Sequence, residues 1–225
     1  FLDINLNDND NILNLYNSFK PNFIYHLAAY PGPDRNEENP ELSKTLNLDL
    51  TKNLLNYVDD ETTIFFPSTD KVYGDKEFAK EEDCEKNIKS LYAKYKFQGE
   101  KMICQKTSKY FIFRQPLIHS YGNYKPNTYY AGVSFIDKAI DQIEKGIKVN
   151  VFYNIERCFV KVDQLADCYL TLLENNNYGI YNIGSNISSY FERIKTLCQL
   201  KKIKYEKLLN PIKGDVFPIR QKIDT

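Results

Sequence analysis

Short β-branched and aromatic runs alternate with longer stretches of helical period, a pattern that predicts an α/β domain built on a parallel sheet. Residues 22–29 read as a buried strand. Residues 42–58 follow as a helix with Leu46, Leu50, Leu54 and Tyr57 on one stripe, then 62–67 as a strand, 90–107 as a long helix and 110–114 as another strand. Strands joined this way need right-handed crossovers, and their ligands bind beyond the carboxyl ends of the strands. The segments 28–33, 68–74 and 116–122 belong there. Beyond Gly122 the texture changes to a loop containing Tyr124 to Tyr130, a helix at 133–145, short strands at 149–152 and 158–161, and a helix at 163–173. A strand at 180–183 and a helix at 189–200 complete the pattern. The expected organisation is a core domain over 1–122 and a smaller lobe over 123–225, from which some segments return to the core.

Composition narrows the function. In 225 residues, 42% are hydrophobic, enough for a real core, and 27% are charged, with Lys+Arg 30 balanced by Asp+Glu 30. Such a balance argues against a nucleic-acid or polybasic membrane binder, which needs a field of one sign. No apolar run approaches the roughly 18 residues of a membrane span, and no signal segment opens the chain. A soluble, cytoplasmic protein is expected. Cys84, Cys104, Cys158, Cys168 and Cys198 are scattered, odd in number and without C-x-x-C spacing, so they read as buried free thiols. His26 and His119 are the only histidines, which excludes a His-rich metal site.

Candidate chemistry centres on Tyr92 and Lys96, four apart in a predicted helix and therefore one turn apart on one face. A tyrosine titrates near about 10, and a nearby ammonium stabilises its phenolate and lowers that value. The pair can then move a proton to or from a sugar or alcohol hydroxyl. Ser68, Thr69 and Asp70 directly follow the 62–67 strand and bring hydroxyls to the carboxyl edge of the sheet; a Ser/Thr turn or helix cap uses the same residues. His26-Leu27-Ala28-Ala29 ends a strand with small residues that admit a flat ligand close to the backbone, or simply pack well.

Taken in order, His26-Leu27-Ala28-Ala29, Asn47, Ser68-Thr69-Asp70-Lys71-Val72-Tyr73-Gly74, Tyr92-x-x-x-Lys96 with Gly99-Glu100, Arg114-x-Pro116, Tyr121-Gly122, Arg157-x-Phe159-Val160-x-Val162-Asp163 and Tyr181-Asn182-Ile183-Gly184 resemble the extended short-chain dehydrogenase/reductases. More narrowly, they resemble the NAD-dependent nucleotide-sugar epimerase/dehydratase family. The resemblance implies a Rossmann-like doubly wound parallel sheet as the dinucleotide-binding domain, followed by a carboxyl-terminal substrate lobe. None of the nine glycines forms the Gly-rich turn that opens a dinucleotide fold. Phe1-Leu2-Asp3-Ile4 resembles the end of the third strand, so the amino-terminal part of such a domain is expected to be missing ahead of Phe1.

By the same resemblance, Tyr92 is the base at the sugar 4-hydroxyl, Lys96 lowers its pKa and binds the nicotinamide ribose, and Thr69 orients the hydroxyl. Asp3, Ile4, Leu27, Ala28, Ala29, Asn47 and Pro116, with Tyr92 and Lys96, line the cofactor, either NAD or NADP. Arg157 pairs with the diphosphate of a nucleotide-diphosphate sugar, next to Thr69 and Tyr92 as substrate contacts. Asp70 as acid and Lys71 as base favour a 4,6-dehydratase acting through a 4-keto sugar. A 4-epimerase needs neither, and Asp70 also suits a 4-keto-sugar reductase. A non-catalytic scaffold or sensor of the same fold is the alternative outside enzymes. The helices at 42–58 and 90–107 form a homodimer interface in such families.

Overall fold

A computed structural model of the chain describes residues 4–74, 78–83, 88–120, 134–214 and 222–223. Asp3, Cys84, Tyr121, Gly122 and the loop at 123–130, all named above, lie outside the described residues. The chain divides into two units. One comprises Phe1–Gly74, Glu81–Arg114 and Asn176–Asn182, and the other Asp75–Lys80, Gln115–Asn175 and Ile183–Thr225.

Among the described residues, the first unit is built on a four-stranded sheet in the order Phe23–Tyr25, Thr63–Thr69, Tyr110–Gln115, Gly179–Asn182. Phe23 to Tyr25 run parallel to Thr63 to Phe65, and Phe111 to Arg114 run parallel to Gly179 to Asn182. Ile64, Phe65 and Phe66 and Phe111, Ile112 and Phe113 are buried on both faces of the central strands, which are apolar without alternation. Ile64, Phe66 and Ile112 pack with Leu55, Val58 and Ile103 on one face. On the other, Phe65 stacks on Tyr25 and Phe111 at ring-centroid distances of 4.6 and 4.8 Å.

The helix expected at 90–107 runs Leu91–Lys106; Ser90 accepts from the Ala93 amide and Thr107 ends it in an extended conformation. The helix expected at 42–58 differs in an informative way. It consists of α-helical turns Pro40–Lys44 and Leu50–Leu55 around a π-helical turn, Thr45–Asp49. Its buried positions are Ser43, Asn47, Thr51 and Leu55, with Leu50 and Val58, while Leu46, Leu54 and Tyr57 stay half-buried. A π turn holds an extra residue, so steps of four stay in register through it, and the leucine stripe gives way to a polar one. The helix Asn9–Phe19 was not anticipated, although Asp8 caps it by accepting from the Asp10 amide and Ile12 is buried.

Among the described residues, the second unit contains four two-stranded pairs. Leu117–His119 runs parallel to Phe159–Lys161, Val149–Phe152 to Leu209–Ile212 and Phe78–Ala79 to Lys222–Ile223, whereas Glu156–Arg157 is antiparallel to Ser188–Ser189. Its core joins Ile136, Ile140 and Ile143 of the helix Phe135–Glu144 with Ile194 and Leu197 of the helix Tyr190–Leu200. No described helix is long and apolar enough to cross a membrane. Cys158 and Cys198 are buried free thiols as expected, but Cys104 and Cys168 are exposed: each sits on the solvent side of its helix.

Candidate active site

Thr69 ends its strand, and the chain turns at once into a single 3-10 turn, Asp70–Tyr73. The Thr69 hydroxyl accepts from the Lys71 amide at 3.3 Å and donates to the Asp70 carboxylate at 3.2 Å. The turn ends at Gly74 with φ 60°, a conformation costly for a side chain. Thr69 and Asp70 are buried, and Lys71 points to solvent.

Behind this turn lies a buried polar network. Glu100 accepts from Ser68 Oγ and is paired with Arg114, whose Nη2 donates to Oε2 at 2.7 Å. Arg114 Nη1 donates to Tyr73 OH at 2.9 Å, and Tyr73 donates to Asn182 Oδ1 at 2.7 Å. Glu81 closes the ring: its carbonyl accepts from Arg114 and its carboxylate from the Asn182 amide. Burial opposes the charge on Arg114, but the hydrogen bonds and charge of Glu100 outweigh it and hold the guanidinium protonated.

Tyr92 and Lys96 lie on the Leu91–Lys106 helix as the spacing required. Their electrostatics run against the sequence expectation. Burial, and then the Asp70 carboxylate, push the Tyr92 phenol up to about 12. Burial pulls Lys96 down to about 8 against the attraction of Glu100, and Lys96 is 3% exposed. Lys96 is not among the causes acting on Tyr92. Within the polypeptide, then, Tyr92 is a protonated phenol at neutral pH, because a desolvated anion beside a carboxylate is unfavourable.

The 27–32 segment is held from behind. Asn47, in the π turn, accepts from the Tyr30 amide at 2.9 Å and donates to the Tyr30 carbonyl and to Asn36 Oδ1. Asn36 bonds the carbonyls of Tyr30 and Gly32 and accepts from Ser43. His26 Nε2 and Thr51 Oγ1 are 2.8 Å apart, and burial followed by the charge of Lys96 takes His26 down to about 3. Leu27 and Ala28 are exposed, and Ala29 and Ile4 half-buried. Sequence reasoning found Asn47 but missed Asn36 and Ser43, whose partners only the fold brings near.

Thr69, Asp70, Tyr92, Lys96 and Asn47 thus share the first unit. Pro116 and Arg157 belong to the second, where both are buried and Arg157 Nη1 donates to the Glu156 carbonyl.

Residues 1–184 match the model of the NAD dependent epimerase/dehydratase family. The chain belongs to that family. Among its relatives, an ADP-L-glycero-D-manno-heptose-6-epimerase of Brachyspira hyodysenteriae is 28% identical over 204 residues, 86% of this chain and 63% of the relative. A methionine adenosyltransferase 2 subunit beta of Xenopus laevis is 30% identical over 117 residues, 52% of this chain and 35% of the relative. The chain therefore spans one to two thirds of the length of these relatives. In fold it is similar to a dTDP-4-dehydrorhamnose reductase of Bacillus anthracis in complex with NADP, with a TM-score of 0.83, 21% identity and coverage of 99% of this chain and 76% of that one. It is likewise similar to a UDP-glucose 4-epimerase of Thermus thermophilus in complex with NAD, at 0.78, 21%, 99% and 74%. These likenesses extend the family's Rossmann-like fold over nearly all of this chain.

Proposed function

We propose that the chain carries the reacting centre of a nucleotide-diphosphate 4-keto-sugar reductase using NAD or NADP. The observation that carries this reading is the pairing of a buried Asp70 with a protonated Tyr92, together with the exposure of Lys71. A 4,6-dehydratase reading asks Lys71 to take a proton from the sugar, and Lys71 is exposed to solvent rather than enclosed with the buried Thr69 and Asp70. A reductase needs an acid at the C4 oxygen instead, and Tyr92 already holds its proton.

The residues present fit a nicotinamide cofactor. Ala28 offers only a methyl group at an open strand end, and Asn47, Asn36 and Ser43 fix the backbone behind it. Leu27, Ala28, Ala29 and Lys96 would hold the cofactor, Asn47, buried and bonded to Tyr30 and Asn36, sets their backbone from behind, and Ile4, Asp3 and Pro116 are proposed from the resemblance alone. The bound cofactor supplies the hydride. Thr69 donates a hydrogen bond that orients the sugar oxygen, and Tyr92 delivers its proton to that oxygen as negative charge builds there. Asp70 keeps Tyr92 in its neutral, protonated form until then, and Lys96 as the cation for the phenolate left behind is proposed from the resemblance alone. Arg157, whose fork suits a diphosphate, is proposed as a substrate contact from the resemblance alone.

A panel of nucleotide-diphosphate 4-keto sugars with reduced nicotinamide tests this: the sugar should gain the mass of two hydrogens, and Tyr92→Phe should abolish turnover while cofactor binding persists. Loss of water from a 4-hydroxy sugar would establish the dehydratase instead, and inversion without change of mass an epimerase. A second reading, a subunit of an assembly whose chemistry lies elsewhere, is suggested by the likeness to a protein named as a subunit, methionine adenosyltransferase 2 subunit beta. Cofactor binding without turnover on any such sugar would favour it.

A further inference from the structure

Lys96 is a buried lysine, and among the described residues no hydrogen bond or ion pair is made by its Nζ. What lies against it is a ring: Nζ sits 4.5 Å from the centroid of Phe66, which is itself fully buried in the strand Thr63–Thr69. The ring is held there from two further sides. His26 lies 5.6 Å away, ring to ring, and on the Leu91–Lys106 helix a Cβ at Gly99 would meet Phe66 Cζ at 2.9 Å. Gly99 therefore lets the helix settle on the ring, and the same approach brings Lys96 over the ring face. An aromatic face attracts a cation, most strongly where water is excluded.

The charged and titratable groups around Lys96 do not supply this contact. Glu100, on the same helix, favours its charge from a distance but is committed to Arg114 and Ser68. His26, at the end of the neighbouring strand, is neutral and hydrogen-bonded to Thr51. Asp70 acts on Tyr92, one turn earlier.

We propose that Phe66 is a positioning residue, whose ring face keeps the Lys96 ammonium charged and fixed above the sheet in place of an acidic partner. The consequence for catalysis rests on the reductase reading; the contact itself does not. A phenylalanine carrying successive ring fluorines at position 66 keeps the shape of the side chain and weakens the attraction of its face. Nuclear magnetic resonance of isotope-labelled lysine, with the Lys96 signal assigned by its loss in Lys96→Arg, then reports the Lys96 titration in the protein without cofactor. The midpoint should fall stepwise with each fluorine, by about one pH unit in all. Gly99→Ala, which displaces the ring, should move it the same way. A midpoint unchanged across the fluorine series overturns the proposal. If the midpoint falls and the pH profile of ketone reduction does not follow it, the contact stands and the role given to Lys96 in the reaction fails.

Discussion

At the residue scale, the Glu100–Arg114 pair and His26 set the terms on which the site is stable. Both partners of the pair are almost fully buried, and each carries further hydrogen bonds. Removing one strands the other's charge, so Arg114→Met should destabilise the protein by about 3–5 kcal/mol, read from denaturant unfolding. His26 acts through pH. Its ordinary value of 6.5 falls to about 3 in the folded chain, so between these values the unfolded state binds the extra proton. Stability should therefore fall as the pH drops from 6.5 toward 3, by up to about 4 kcal/mol from this group, and His26→Gln should flatten that slope. That Tyr92 and Lys96 share one helix, a turn apart, was legible from their spacing. The direction of the Tyr92 shift was not. Sequence shows the lysine four positions away, while the carboxylate that acts on the phenol arrives through the fold.

At the scale of elements, the Leu91–Lys106 helix was readable nearly to the residue, since Ser90 is a strong N-cap and nothing interrupts the turns. The 40–55 helix was readable in extent but not in orientation. Periodicity of 3.6 assumes uniform turns, and the π turn at Thr45–Asp49 redirects which side faces inward. Its reward is Asn47, which meets both backbone groups of Tyr30. Asn47→Ala leaves a buried amide and carbonyl without those bonds and should cost about 1–3 kcal/mol by thermal or denaturant unfolding. Asn47→Asp keeps the acceptor for the Tyr30 amide but turns a carboxylate toward Asn36 Oδ1, so it too should destabilise in the same measurement.

For the whole molecule, alternation of strand and helix sufficed to read the first three strands of the parallel sheet, because each pairs with the next after one crossover, whereas Gly179–Asn182 reaches Phe111 to Arg114 only after the long Gln115–Asn175 segment. The second unit resisted the same reading. Its strands are two to four residues long, and their partners are remote: Val149 pairs with Leu209 and Arg157 with Ser188. No local pattern announces such pairs. The first unit also ends its sheet on Phe23–Tyr25, where Phe23 is 43% and Tyr25 47% exposed, with Leu27 at 63% just beyond. Among the described residues that strand has a partner on one side only. An edge with apolar side chains and free backbone groups is a template for another strand, so handling of this polypeptide in isolation becomes a matter of concentration. Light scattering should show association that grows with protein concentration, and Phe23→Lys should suppress it while leaving the fold intact.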